Sequence, residues 1–262
     1  MFLKSIQVCL LLFLLAGCLA TQPPYPEDRY FRIAEESFLK GKYQAAIDNY
    51  ILFISGQPLS GYVPEAYYRT GISYLAMDNV KEALPYLIES LNRAKYTDLR
   101  TQVLNSLGLS YFIQQNYTES IKHYELALKG DKGILPIAEV YYNTGISFMR
   151  TNRWREGRKY IQLAKDTAGK SERIISESAI ERLSLLSDTF VVQLGKFDDK
   201  SSAQSYQSEL LSEKGLKTTS NIILIDGNEF FYLWVGPFPT YHEALAKAEE
   251  IRECGLEAII MP

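Results

Sequence analysis

The chain has 262 residues, long enough for two domains. Hydrophobic residues make up 47% and charged residues 23%, a globular balance that excludes a disordered chain. The net charge of -3 excludes a broadly basic nucleic-acid binder, and two histidines with three cysteines leave little room for a zinc site or a histidine-based triad.

In chain order, residues 1–17 read as a secretory signal. Lys4 gives a positive start, residues 5–16 are mostly apolar, and the small residues Ala16 and Gly17 precede Cys18. The run is too short for a membrane span, which needs ~20 residues. The string Leu15-Ala16-Gly17-Cys18 resembles the lipobox of bacterial lipoproteins. The resemblance implies cleavage before Cys18 and covalent lipid on its thiol, with no other cofactor. Leu19 in place of an aspartate implies an outer-membrane anchor facing the periplasm. Each buried CH₂ adds roughly 0.8 kcal/mol, so several acyl chains anchor stably. Cys9 leaves with the signal, so only Cys254 remains for other chemistry and no intrachain disulfide is available. Cys254 is expected to be a small buried hydrophobe. Residues 18–26 form a lipidated, Pro-rich tether that is not helical.

Residues 27–188 carry an internal repeat. Gly71, Gly108 and Gly145 are spaced by 37, each in a frame of the type Thr70-Gly71-Ile72-Ser73-Tyr74. Small residues follow in register at Ala83, Ser120 and Gly157, with Ala46 one period upstream, and then Tyr50, Leu87, Tyr124 and Ile161. Where two helices cross closely, one presents small side chains to the bulk of the other. Helices are expected near 28–40, 43–55, 64–77, 80–94, 99–114, 117–129, 136–150 and 153–167, with a further one at 171–187 sealing the array. The pattern resembles the tetratricopeptide repeat, whose usual period is shorter by three residues. The extra residues are expected in the connections, at 56–64 and 132–136. The resemblance implies an all-α solenoid that holds a protein partner, whose identity is not legible. Tyr67, Tyr74, Tyr141 and Tyr142 are expected to pack between helices; the other reading places them on a partner surface.

From Phe190 the apolar period switches to two. Strands are expected at 190–197, 218–225, 229–235 and 257–261, helices at 201–213 and 240–254. Asp226-Gly227 marks a hairpin, and Thr240 with Glu243 forms a capping box. The order βαβ–βαβ makes a small α+β domain, 189–262, with a four-stranded antiparallel sheet and both helices on one face. Alternation sends Phe231, Leu233 and Val235 toward the helices. Phe230, Tyr232 and Trp234 then form an exposed apolar patch on the open face.

Val191-Val192-Gln193-Leu194-Gly195-Lys196-Phe197 and Tyr232-Leu233-Trp234-Val235-Gly236-Pro237-Phe238, with Ala203 and Ala244 following them, resemble the SPOR domain of bacterial division proteins. The resemblance implies binding of septal peptidoglycan glycan strands stripped of stem peptides, through the open face. It implies Gln193, Phe230, Tyr232, Trp234 and Ile260 as glycan contacts. Lys196 departs from a frequent Ser, and Tyr232 from a frequent Arg.

RNA-recognition modules share this layout. Residues 189–262, however, hold six Lys or Arg and eleven Asp or Glu, a balance that repels phosphate. No nucleotide-binding, zinc-protease or C-x-x-C motif is present. His123 is expected to be solvated on a repeat helix. Adjacent carboxylates such as Glu35 and Glu36 diverge by ~100° on a helix, so they do not converge on a substrate. No catalytic or metal residue is assigned. The expectation is a non-enzymatic, lipid-anchored envelope protein that docks on division-site wall and recruits a partner through its repeats. The alternative is an assembly or trafficking factor that the C-terminal domain tethers to the wall.

Overall fold

The computed structural model describes residues 28–169, 173–184, 188–225 and 227–261. The expected secretory segment, Cys18 and the expected tether lie outside the described residues, as does Asp226 of the expected hairpin. The chain divides into two compact units between Val140 and Tyr141.

The first unit contains α1 (Arg29–Leu39), α2 (Tyr43–Gly56), α3 (Val63–Ala76), α4 (Val80–Arg93), α5 (Thr97–Ile113) and α6 (Tyr117–Ala127). A short 3-10 turn (Lys132–Ile134) leads to α7 (Ile137–Arg150), which runs across the division. Successive helices from α1 to α6 pack on one another. The period of 37 is written into the turns. Gly41, Asp78, Gln115 and Asn152 all take the left-handed conformation, with φ between 59° and 70°. After each, an amide reaches back five residues: Lys42 to Ser37, Asn79 to Tyr74, Asn116 to Tyr111 and Arg153 to Phe148, at 2.8–2.9 Å. This is the Schellman closure, repeated at every helix pair. The extra residues of the repeat are distributed unevenly. The segment 57–62 and the 3-10 turn hold some, but only Ala94–Tyr96 separate α4 from α5, and α5 is lengthened to 17 residues instead.

The glycines of the repeat are steric gaps. A methyl on Gly71 would lie 2.7 Å from the Leu87 side chain, one on Gly108 2.7 Å from the Tyr124 ring, and one on Gly145 2.8 Å from Ile161. Ala46, Ala83 and Ser120 are fully buried beside them, and the Ser120 hydroxyl donates to the Gly108 carbonyl at 3.0 Å.

A buried polar network ties α1, α2 and α3 together. Tyr50 donates to Glu35, and Arg69 Nε lies 3.5 Å from Glu35 and 2.9 Å from Glu65. Glu36 faces the other way and pairs with Lys40, as the divergence of helical neighbours requires. Burial pushes the Glu65 carboxyl above its ordinary value; Arg69 opposes that rise and the Glu35 charge adds to it.

The second unit holds the end of α7, α8 (Trp154–Thr167), α9 (Arg173–Ser184), β1 (Phe190–Phe197), α10 (Lys200–Lys214), β2 (Thr219–Ile225), β3 (Asn228–Phe238), α11 (Tyr241–Glu253) and β4 (Ile259–Met261). The sheet is antiparallel, in the order β2-β3-β1-β4. Both α10 and α11 pack on one face of it, over Phe190, Val192, Leu194 and Ile260. Ala203, Ala244 and Ala248 are the buried small residues that let the helices approach. Thr240 and Glu243 form the capping box of α11, and Asp199 caps α10. From α8, Trp154 enters this same core, its ring 4.7 Å from that of Phe190. The Arg150 guanidinium lies 3.7 Å over the Tyr241 ring, and Arg158 pairs with Asp188 at 3.0 Å.

Two outcomes are expected. Overpacking by one methyl makes Gly71→Ala cost about 1–3 kcal/mol in chemical denaturation. In the Leu87→Ala background that penalty shrinks, because the clashing side chain is gone; a strictly additive double variant contradicts the packing. The second concerns pH. A raised Glu65 pKa means that the folded state binds its proton more readily than the unfolded state. Its contribution to stability is therefore full below the unfolded carboxylate pKa and lost as pH rises through the folded one. Urea denaturation of the wild type should gain stability relative to Glu65→Gln as pH falls from neutral toward the ordinary carboxylate range. Parallel pH profiles contradict the assignment.

Candidate functional site

The sheet face opposite α10 and α11 is built in cross-strand rows. Trp234 on β3 stands between Thr219 on β2 and Gln193 on β1, and Gln193 in turn pairs with Ile259 on β4. The next row is Asn221, Tyr232 and Lys196; beyond it, Ile223 pairs with Phe230. Strand alternation alone would send Lys196 to the helix side, away from Gln193. A register shift between Gln193 and Gly195 returns it to the same face. There its ammonium sits 4.3 Å from the Phe230 ring centre and 5.5 Å from that of Tyr232. Lys196 is the one charged residue that the described strands place on this face.

The expected orientation of the three rings is found. Phe230, Tyr232 and Trp234 cluster with Val191, Ile223, Ile225 and Met261, apart from the helix-side core. Their expected exposure is not. Tyr232 is 0% and Trp234 8% exposed. The cover is α9, which touches β2 and inserts Ile180 against the cluster, with Ala179 fully buried. So α9 packs on the sheet as well as on α8. Phe230 is half-buried at the margin. Ile260 is a correction: it lies on the helix side with Phe190 and Val192, and Met261 takes its place on the ring face. The cause is the register, which sets Ile260 opposite Val192 and Met261 opposite Val191.

Around the covered rings runs an accessible polar margin. Thr219, Asn221 and Lys196 are exposed and Gln193 is half-buried. It supplies a hydroxyl, two amides and an ammonium beside aromatic surface. Such a set suits a sugar chain: ring faces meet apolar sugar faces, and amides bond hydroxyl and acetamido groups. Sequence reasoning did not assign Thr219 and Asn221, because β2 carries no motif of its own; only the pairing with Trp234 and Tyr232 selects them. On the other side of the β2 edge a groove of about 440 Å³ is lined by Gln207, Leu211, Leu216, Val235 and neighbours. Its single charged lining residue is Lys217, and it holds no acid–base pair.

Tyrosines of the helical region pack in a repeating pattern, although Tyr30 and Tyr96 are exposed. Tyr74 stacks on Tyr86 at 5.4 Å and Phe148 on Tyr160 at 5.3 Å, and Tyr111 meets His123 in a tilted contact at 5.0 Å. These are equivalent positions of successive helix pairs. Tyr67 and Tyr141 add rings to the first and third of them, and Tyr142 accepts a hydrogen bond from Arg182 Nε at 2.8 Å. His123 is therefore not solvated: it is buried, with Nδ1 2.8 Å from the Glu119 carbonyl. Cys254 is exposed rather than buried. Among the described residues, no group of three His, Cys, Asp or Glu is placed to hold a metal, and no helix is long and apolar enough to cross a membrane.

Comparison with curated proteins finds no match. A family model does match: residues 186–262 fit the SPOR domain. This C-terminal part of the chain is thus similar to the SPOR domain, a peptidoglycan-binding module of envelope proteins that commonly act in cell division.

Proposed function

We propose that the protein is a non-enzymatic, lipid-anchored adaptor of the bacterial envelope. In this reading Cys18 carries the lipid and holds the chain to the outer membrane on its periplasmic side. The SPOR domain reads septal glycan strands stripped of stem peptides, and the helix pairs, as tetratricopeptide repeats, recruit a protein partner to the division site. The observation that supports glycan reading most is the cross-strand row Thr219–Trp234–Gln193, an aromatic ring flanked by a hydroxyl and an amide on a SPOR sheet. Lys196 adds a specific preference. Stripping the stem peptide frees the lactyl carboxylate of each muramic acid, and an ammonium on the binding face attracts it. The domain carries more acidic than basic residues, and among the described strands Lys196 alone brings a positive charge to this face.

The test is co-sedimentation of residues 19–262 with peptidoglycan sacculi, intact and enriched in stripped glycan. The wild type should pellet preferentially with the stripped material. Gln193→Ala combined with Asn221→Ala should weaken that by about tenfold, since each amide contributes roughly 0.5–1.5 kcal/mol. Lys196→Met should retain binding and lose most of the preference. Absence of pelleting, or equal pelleting by all three proteins, contradicts the reading.

A further inference from the structure

The rings best suited to a sugar chain are the ones that α9 covers. Ile180 packs against the cluster that holds Tyr232 and Trp234, and Ala179 beside it in α9 is fully buried. A glycan stacked on Trp234 and the Ile180 side chain would occupy the same surface. The two states are therefore exclusive.

The docking of α9 is built to be reversible. The helix has 12 residues, a length at which an isolated helix is marginal in water. Its first turn carries no acidic residue to favour it, and Ile174 is left exposed. Within the described residues the apolar cluster on the sheet face takes only Ile180 from α9. On its other side, Arg182 reaches back to the Tyr142 hydroxyl of α7. The helix is thus shared between the last helix pair and the sheet. Losing the sheet contact leaves it a second set of contacts, so release does not require unfolding of the domain.

Resting on the glycan reading above, we infer that α9 is an intramolecular competitor that occupies the glycan-binding face and lowers its affinity until displaced. The apparent dissociation constant is the intrinsic one divided by the fraction of molecules with the face open. Anything that weakens the Ile180 contact then tightens glycan binding without adding a contact to glycan.

Amide hydrogen exchange and co-sedimentation with stripped sacculi, both on residues 19–262, test this together. In the wild type, saturating stripped glycan should raise exchange in 173–184, since the helix is expelled. Ile180→Glu should raise exchange there without glycan and pellet about tenfold more tightly. Wild-type protein that binds while α9 stays as protected as before overturns the competition, whatever the variant does. An Ile180→Glu protein with a loosened helix and unchanged affinity overturns it too. If neither protein pellets while the variant's helix still loosens, the glycan reading itself fails, and the competition falls with it.

Discussion

Strands β1 and β3 carry large apolar side chains on both faces of the sheet, and both faces have to leave water. Phe190, Val192, Leu194 and Leu233 go under α10 and α11; Val191, Tyr232 and Trp234 lie on the other side. Two helices of the α+β domain cover only one of these surfaces. The second is closed by α9, which belongs to the helical stretch of the chain. The arrangement of the second compact unit follows from this demand. Exposed rings of that size on a monomer mark an interaction surface, and until a ligand arrives a neighbouring element gains by covering them. A face that is best hidden when empty and best used when open is a natural place for competition between self and ligand.

The helical region rests on a different constraint, the closeness of its helix crossings. Gly71, Gly108 and Gly145 each face the side chain sixteen residues on, with no room for a methyl group. The turns repeat as faithfully as the contacts. Three of the four left-handed positions are Asp, Gln or Asn rather than glycine, so the turn geometry is imposed by the helices on either side. The ring pairs, one per helix pair from Tyr74 and Tyr86 onward, use tyrosines that a reading by composition would place on a binding surface. The richness in tyrosine serves packing at these positions.

The period of 37, the helix pairs, the βαβ–βαβ order and the capping box of α11 were legible because each rests on local residue types at fixed spacing. So was the orientation of Phe230, Tyr232 and Trp234, since alternation along a regular strand leaves no choice. What alternation cannot carry is an irregularity. The shift after Gln193 moves Lys196 onto the ring face, and the only hint of it in the residues is Gly195, since a glycine inside a strand often marks a bulge. Ile260 was misplaced for a related reason: β4 is three residues long, and its facing depends wholly on its register with Val191 and Val192. The cover by α9 was not legible at all. Its apolar residues Ile174, Ile175, Ala179, Ile180 and Leu183 spread around the helix, and such a pattern does not tell a seal on the last helix pair from a lid on the sheet. The Arg69–Glu65 pair lies i, i+4 along α3, but the contacts of Glu35 with Arg69 and Tyr50 were equally hidden, because they join three helices and form only through the fold.

The central claim is that the ring face of the sheet is where glycan binds, and the protein contains its own reporters. Its two tryptophans lie on opposite sides of the sheet, Trp234 in the ring cluster and Trp154 in the helix-side core. In a ¹⁵N–¹H spectrum of residues 19–262 titrated with stem-stripped glycan, binding on the ring face should move the Trp234 indole and the Gln193 side-chain amide and leave the Trp154 indole in place. Saturating glycan that leaves the Trp234 indole unmoved would contradict it.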